Sequence, residues 1–120
     1  MAKSYKELIV WQKAMDLVVE IYNLSKKLPR EEIYALSDQM RRAAVSVPSN
    51  IAEGQPRNST KEFLQFLAIA KGSLSELETQ LAISVRLQYL TEIQISQAVA
   101  LSDEIGKMIR SIEQKLTTNH

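Results

Sequence analysis

The chain has 120 residues, of which 45% are hydrophobic and 24% are charged, and its formal net charge is +1. This size and composition predict one soluble domain over residues 1–120, and the near-neutral charge argues against a protein that coats nucleic acid through bulk charge, although a local basic patch is still compatible. The sequence contains no cysteine, which excludes disulfides, thiolate metal sites and cysteine nucleophiles.

Residues 1–6 lack the apolar core of a secretory signal. No run of residues approaches the roughly 18 apolar positions that would cross a bilayer. We therefore expect a cytoplasmic protein with no membrane partner.

The first helix is predicted to begin at or shortly after residues 4–7, where a serine and a glutamate have the spacing of a capping box. Its heptad seam consists of Val10, Ala14, Leu17, Ile21, Leu24 and Leu28. A second apolar row, which widens the predicted buried arc, consists of Trp11, Met15, Val18 and Tyr22. Pro29 is expected to end the helix, because the residue before a proline is pushed away from helical geometry.

The second helix is expected to start between Glu31 and Ser37 and to end at Gly54, with Pro56 preventing its return. Its apolar side consists of Ile33, Leu36, Met40, Ala43, Val47 and Ile51. Pro48 lies inside this helix and removes one backbone amide, so a kink is predicted there.

The other side of the second helix carries a polar stripe, formed by Arg42, Ser46, Ser49, Asn50 and Glu53. So many hydrogen-bonding groups around a proline can form either a polar layer whose members bond to one another within the protein, here called a satisfied layer, or a ligand site. The residue pattern alone favours the satisfied layer.

The third helix is predicted to start at a second capping box, residues 59–62, and to run to about Gln88. Beside its heptad seam runs a second apolar row of Phe66, Ile69, Ile83 and Leu87. Two rows indicate either a central position or an interface with another subunit. Gly72 is compatible with a close backbone approach, and an ordinary helix crossing is the favoured interpretation.

A third capping box at residues 91–94 predicts the start of the fourth helix. Its apolar seam consists of Ile95, Ala98, Leu101, Ile105, Met108, Ile112 and Leu116. Four helices with short connections predict an all-α fold, an antiparallel up-down-up-down four-helix bundle.

The residues do not predict an enzyme. The only histidine is the last residue, His120, so a histidine base, a triad and a histidine metal cluster have no support. Di-iron bundles need Glu-x-x-His on two helices, which this chain lacks. Glu76 and Glu78 lie on different sides of one helix and do not form a carboxylate pair. We predict no catalytic residue, no metal and no cofactor.

Basic residues concentrate around the second helix and the start of the third. The candidate phosphate contacts are Arg41, Arg42, Arg57, Lys61, Lys71 and Arg86. Arginine can bind phosphate through two parallel N–H groups. The alternative, favoured for Arg42, is that this residue pairs with Glu53 or Glu76 within the bundle while the other cations are solvated.

Four motifs occur in order along the chain: LIVWQKA at 8–14, RRAA at 41–44, SVPSNIAEG at 46–54 and AKGSLSELET at 70–79. They resemble the four-helix-bundle family named for the intervening sequences of 23S ribosomal RNA. The family motifs contain a polar cluster, here Ser46, Asn50, Glu53, Ser73 and Glu76.

The accessory protein of diversity-generating retroelements is similar to this family, and it forms a homopentamer that works with nucleic acid. By this resemblance the chain is expected to be a non-catalytic bacterial protein that assembles into a homo-oligomer, a pentamer, and binds structured RNA or an RNA-protein complex. The alternative is a protein interaction scaffold with no nucleic-acid role.

Overall fold

Four long helices form the body of the protein in a computed structural model that describes residues 4–118. The helices are α1 Ile9–Ser25, α2 Leu36–Gly54, α3 Thr60–Arg86 and α4 Glu92–Thr118, with short 3-10 turns at Tyr5–Glu7 and Arg30–Glu32. The described residues contain no strand, so the predicted all-α fold is confirmed. His120 lies outside the described residues.

Each helix packs against two others, in the closed order α1, α2, α3, α4 and back to α1. On α2 and α3 the contacting positions run in opposite directions. Near the start of α2, Met40 meets Ser84, and at the end of α2, Gly54 meets Phe66. Helices joined by short connections pack antiparallel in bundles of this type. Pro48 is buried within a continuous α2, and the kink stays a prediction.

The heptad seams of the sequence form most of the core, but on α4 the fully buried Ile109 was not predicted, and four predicted seam residues are only partly buried: Leu101, Met108, Ile112 and Leu116. Its largest fully buried side chains include Leu17, Ile21, Met40, Ile51, Leu67, Leu77, Leu81, Ile105 and Ile109. Three apolar predictions were wrong. Met15 and Tyr22 are each 41% exposed, because they lie at the edge of the α1–α2 contact, whereas Trp11 and Val18 of the same row pack against the core. Ile33 is also exposed, because it precedes the first turn of α2.

The second and third predicted capping boxes cap their helices, and the third does so with both reciprocal bonds. The Ser59 hydroxyl accepts from the Glu62 amide at 3.2 Å. Thr91 and Gln94 cap each other reciprocally, through bonds of 2.9 and 3.1 Å. The first box is replaced by a 3-10 turn, in which Ser4 accepts from the Lys6 amide, and α1 begins only at Ile9. At its other end α1 stops at Ser25, before Pro29 is reached.

Helix α2 ends at Gly54, as predicted, and does so without a left-handed conformation, since no described glycine has a positive φ. The role of Gly54 is close packing, because a Cβ built on this residue would lie 2.6 Å from the Phe66 Cβ. Gly72, by contrast, has no atom within 4 Å of such a Cβ. The close approach considered for Gly72 is therefore found at Gly54, at the crossing of α2 and α3.

Tyr89, in the loop before α4, joins two connecting segments at one end of the bundle. Its hydroxyl donates to Glu32 Oε2 at 2.8 Å, and Glu32 Oε1 accepts from the Leu36 amide at 3.2 Å. The single carboxylate of Glu32 thus caps the start of α2 and holds the α3–α4 loop. This hydrogen bond, with desolvation and the nearby negative charge, raises the pKa of Tyr89 above its ordinary value of 10.0.

Replacing Tyr89 by phenylalanine is expected to lower the thermal unfolding midpoint near pH 7, because Glu32 loses a hydrogen-bond donor. Because the folded-state pKa is raised, the stabilisation is fully present below pH 10 and disappears as pH rises through the folded-state value. Unfolding midpoints of both proteins between pH 7 and pH 11 should therefore converge at the alkaline end. A gap that is constant across this range would contradict the Tyr89 hydroxyl as its source.

Candidate nucleic-acid interface

The centre of the α2–α3 contact is a small hydroxyl and amide network. The Ser73 hydroxyl donates to Ser46 Oγ at 2.7 Å, and Asn50 Nδ2 donates to the same oxygen at 2.9 Å. Asn50 Nδ2 also donates to the Ser46 carbonyl at 2.7 Å. Three residues of the family-motif polar cluster are thus brought together, and they form the satisfied layer that the stripe predicted.

The other two cluster residues make no hydrogen bond to this network, although Glu76 lines the same pocket as Ser46. Glu53 accepts from Arg57 across one helical turn. Glu76 is exposed on α3 and borders a pocket between α2 and α3. The five motif residues therefore do not form one site.

Arg41 joins α1 to α2 through several contacts. Its guanidinium donates to the Ile33 carbonyl at 3.1 Å and to Ser25 Oγ at 3.5 Å. It also lies 5.9 Å from the centre of the Tyr22 ring and 3.9 Å from an Asp38 oxygen. These contacts use the donors of Arg41 inside the protein.

Arg42 pairs with Asp38, one turn earlier on α2, and the predicted partners Glu53 and Glu76 were wrong. Arg42 Nε donates to Asp38 Oδ2 at 2.9 Å. The side chain of Arg42 is 80% exposed. Since only Nε takes part in this bond, the two terminal nitrogens of the guanidinium are left to bind another group.

Two further candidate cations are also ion-paired. Arg57 donates to Glu53, and its guanidinium lies 5.3 Å from the centre of the Phe66 ring. Lys71 reaches across to α4, where its Nζ is 2.9 Å from Glu113 Oε1. Both pairs are partly exposed, so water and salt weaken them.

Lys61 and Arg86 are the two candidates that make no hydrogen bond or ion pair with other residues in the described range 4–118. Both are exposed on α3. They are 25 positions apart, close to seven turns of 3.6 residues, so they share one side of the helix. At 1.5 Å per residue, they stand about 37 Å apart along the axis.

A pocket of about 190 Å³ opens between α2 and α3. It is lined by Gln39, Arg42, Ala43, Ser46, Glu76 and Gln80. Gln80 is only 7% exposed, and its Oε1 is buried without a hydrogen-bond partner. A buried acceptor of this kind destabilises the protein, and a donor supplied by a ligand would relieve that cost.

Sequence reasoning missed Asp38 and Gln80. Asp38 could have been found, because four residues separate it from Arg42 and oppositely charged residues at this spacing face each other on a helix. Gln80 shares the α2 side of its helix with Ser73 and Ser84, at separations of seven and four residues. That pattern indicates a polar strip, but the sequence does not show which of its members lacks a partner.

A second exposed surface is apolar. Its members, here called the α1–α2 apolar surface, are Met15, Val19, Tyr22 and Val45. The first three follow one another at helical spacing on α1. A groove of about 310 Å³ lies alongside, with Trp11 and Pro48 among its lining residues. Contiguous exposed apolar surface of this kind marks interaction sites in soluble proteins.

No helix within residues 4–118 combines the length and the apolar character needed to cross a membrane.

The chain matches a model of the 23S rRNA-intervening sequence protein family over residues 6–111. It is also similar to a crystal structure from Bacteroides thetaiotaomicron VPI-5482, a protein of unknown function from the S23 ribosomal protein family. That similarity has a TM-score of 0.81 and 32% sequence identity, over 88% of this chain and 98% of the other. A search of the curated proteins found no match. Neither description names a catalytic activity. The match spans most of the sequence, and the chain belongs to the 23S rRNA-intervening sequence protein family.

Proposed function

We propose that this protein is a non-catalytic, cytoplasmic homo-oligomer that binds structured RNA, alone or within an RNA-protein complex. The observation that carries the proposal is the set of cations with free donors on the outside of α2 and α3. Lys61 and Arg86 are unpaired within the described chain, and Arg42 keeps both terminal nitrogens free. Such groups bind phosphate oxygens without first breaking an internal ion pair.

Self-association would multiply this modest patch. A monomer with a net charge of +1 has little long-range attraction for RNA, but a ring repeats each cation once per subunit. We propose five subunits, the number that the family resemblance implies. Phosphate contacts on the assembled ring would then release several counterions together, which makes binding strong at low salt and weak at high salt.

The α1–α2 apolar surface is the better candidate for the subunit contact. The outer row of α3 that the sequence suggested is exposed at Ile69, Ile83 and Leu87, but Glu76 interrupts it. A carboxylate inside an interface loses its water and needs a partner. The four residues of the α1–α2 apolar surface are uncharged, and the Arg41 guanidinium that lies 5.9 Å from the Tyr22 ring centre already has a partner in Asp38; use of this surface would leave the cations of α3 open to RNA.

The RNA prediction is tested by reversing the free cations with the double change Lys61→Glu and Arg86→Glu. We expect weaker binding of a structured ribosomal RNA fragment, measured by fluorescence anisotropy at several salt concentrations. The slope of log affinity against log salt should become shallower by roughly 0.7–0.9 for each phosphate that the variant no longer binds. Arg57 is less suitable for this test than the sequence suggested, because its reversal also breaks the pair with Glu53.

The matched control is Lys107→Glu with Lys115→Glu, two exposed cations on α4 that give the same change in net charge. If both double variants weaken binding equally, the effect is one of net charge and the assignment to α3 is wrong. If the wild-type protein binds no RNA at low salt, the RNA function itself is refuted.

A protein interaction scaffold is the second candidate function. It is favoured by one observation, that Arg41, Arg42, Arg57 and Lys71 all have acidic partners within the chain. On this alternative the charges keep the protein soluble and the exposed apolar surface binds a partner. Reversal of Lys61 and Arg86 would then leave partner binding unchanged.

A further inference from the structure

The pocket between α2 and α3 holds polar groups that the rest of the protein leaves unused. Glu76 makes no ion pair or hydrogen bond with another described residue. It borders the same pocket as Arg42, yet the two do not pair with each other. Gln80 Oε1 adds a buried acceptor without a partner. One buried acceptor without a partner and two exposed charged groups with free hydrogen-bonding capacity line the same small space, which suits a ligand that both donates and accepts hydrogen bonds.

The pocket offers donors and acceptors on separate residues. Arg42 presents the two terminal nitrogens of its guanidinium. Ser46 Oγ already accepts from Asn50 and Ser73, so its own O–H is left to donate. The acceptors are the Glu76 carboxylate and Gln80 Oε1. Because rotation about the χ3 bond of a glutamine is easy, Gln80 Oε1 can turn toward a donor in the pocket.

Among the nucleobases, guanine matches this arrangement most fully. Its Watson–Crick edge carries adjacent N–H donors at N1 and N2, which suit the two oxygens of one carboxylate. Its O6 and N7 accept a bidentate bond from arginine. Cytosine presents one donor group to a carboxylate, and adenine and uracil present no adjacent pair of N–H groups. Guanine alone would use the carboxylate and the guanidinium in bidentate fashion.

The size and place of the pocket fit a single base. Its volume of about 190 Å³ is below the roughly 300 Å³ at which sites for drug-sized ligands begin. One ring system therefore enters, while the sugar and phosphate stay outside. Proteins read RNA sequence mainly on unpaired bases of loops and bulges, whose edges are free.

We propose that the α2–α3 pocket binds an unpaired guanine of RNA, with Glu76 accepting from N1 and N2 and Arg42 donating to O6 and N7. Gln80 Oε1 accepts the second hydrogen of the N2 amine. This inference rests on the proposed RNA function and adds a base preference to it. The free cations Lys61 and Arg86 bind phosphates of the same RNA along α3.

The experiment uses RNA hairpins that differ at one loop position, with guanine, adenine, cytosine, uracil, inosine or 7-deazaguanine there. We expect guanine to bind roughly tenfold more tightly than the other three natural bases. Inosine lacks the N2 amine and 7-deazaguanine lacks N7, so each should lose part of the preference. The full-length protein is titrated against each hairpin by fluorescence anisotropy at one low salt concentration.

Protein variants, titrated against the same hairpins, then show which residue contacts which atom of the base. Glu76→Gln should reduce the difference between guanine and inosine, since Gln80 still accepts one hydrogen of the N2 amine, while keeping the loss caused by 7-deazaguanine. Glu92→Gln, which removes an exposed carboxylate of α4, is the control and should change neither. Gln80→Met should raise the thermal unfolding midpoint, because an unpartnered buried oxygen is removed, and should also weaken guanine binding. A purely structural Gln80 would move only the midpoint.

The outcomes separate this inference from the proposed function. Equal binding of all hairpins, or a guanine preference that survives Glu76→Gln unchanged, would overturn the guanine pocket and leave RNA binding in place. A preference for cytosine would also overturn it. If no hairpin binds at low salt, the proposed function and this inference are both wrong.

Discussion

If the chain self-associates through the α1–α2 apolar surface, as proposed, replacing Val19 by glutamate is expected to convert that oligomer into a monomer that keeps its helices. Val19 is 61% exposed in the single chain, so a glutamate there stays in water and costs the monomer little. Glutamate also favours helix more than valine does. Between two subunits the same carboxylate would lose its hydration without a partner, at a cost of several kcal/mol per contact. A ring contains this contact once per subunit, so the effect on assembly is large.

The matched control is Ile69→Glu, which places a glutamate on the outer row of α3. Ile69 is 51% exposed and, like valine, is β-branched, so the two changes are alike in chemistry and in their effect on the monomer. Light-scattering mass and far-ultraviolet circular dichroism are measured on both variants. We expect a small helical species for Val19→Glu and an unchanged particle for Ile69→Glu. The reverse result would place the interface on α3, and a wild-type monomer would refute self-association.

The elements that the sequence predicted best are those governed by short-range chemistry. Ser59 and Thr91 cap their helices as expected, because the residues that satisfy the free amides lie within three positions. Most seam residues were also predicted correctly, since apolar residues at helical spacing lie on one side of a helix and are buried together when that side packs against the core. Helix α1 begins at Ile9, shortly after residues 4–7 as predicted, but the capping box at those residues was wrong, because Ser4 bonds the Lys6 amide and closes a 3-10 turn instead.

The candidate site was less predictable because its contacts join residues that are distant in sequence. Spacing alone cannot show that Arg41 bonds to the Ile33 carbonyl and Ser25, or that Ser46 meets Ser73 across 27 residues. The width of a buried face is equally hard to predict. Met15 and Tyr22 continue an apolar row, but only the placement of α2 decides how much of that row is covered.

Replacing Gly54 by alanine is expected to destabilise the protein by up to about 2 kcal/mol, although alanine favours helix. Gly54 has an ordinary helical φ, so the backbone gains about 1 kcal/mol from the better helix former. The added Cβ, however, would lie 2.6 Å from the Phe66 Cβ and 3.0 Å from the Phe63 Cδ1. A Cβ is fixed to its backbone and cannot rotate away, so α2 and α3 must separate at this crossing. Overpacking of this kind costs about 1–3 kcal/mol and here exceeds the gain in propensity.

Replacing Gly72 by alanine, on the neighbouring helix α3, is expected to change the stability of the protein in the opposite direction. Nothing lies within 4 Å of a Cβ at Gly72, so the change adds no clash and should stabilise the protein by about 1 kcal/mol. Thermal unfolding is best compared in the Val19→Glu background, where subunit dissociation does not contribute to the midpoint. Each kcal/mol should move that midpoint by roughly 4 °C.

If both glycine variants are stabilised, the crossing of α2 and α3 is looser than the distance of 2.6 Å between the two Cβ positions implies. If Gly72→Ala weakens the wild-type assembly but not the monomer, the outer side of α3 lies against a second subunit.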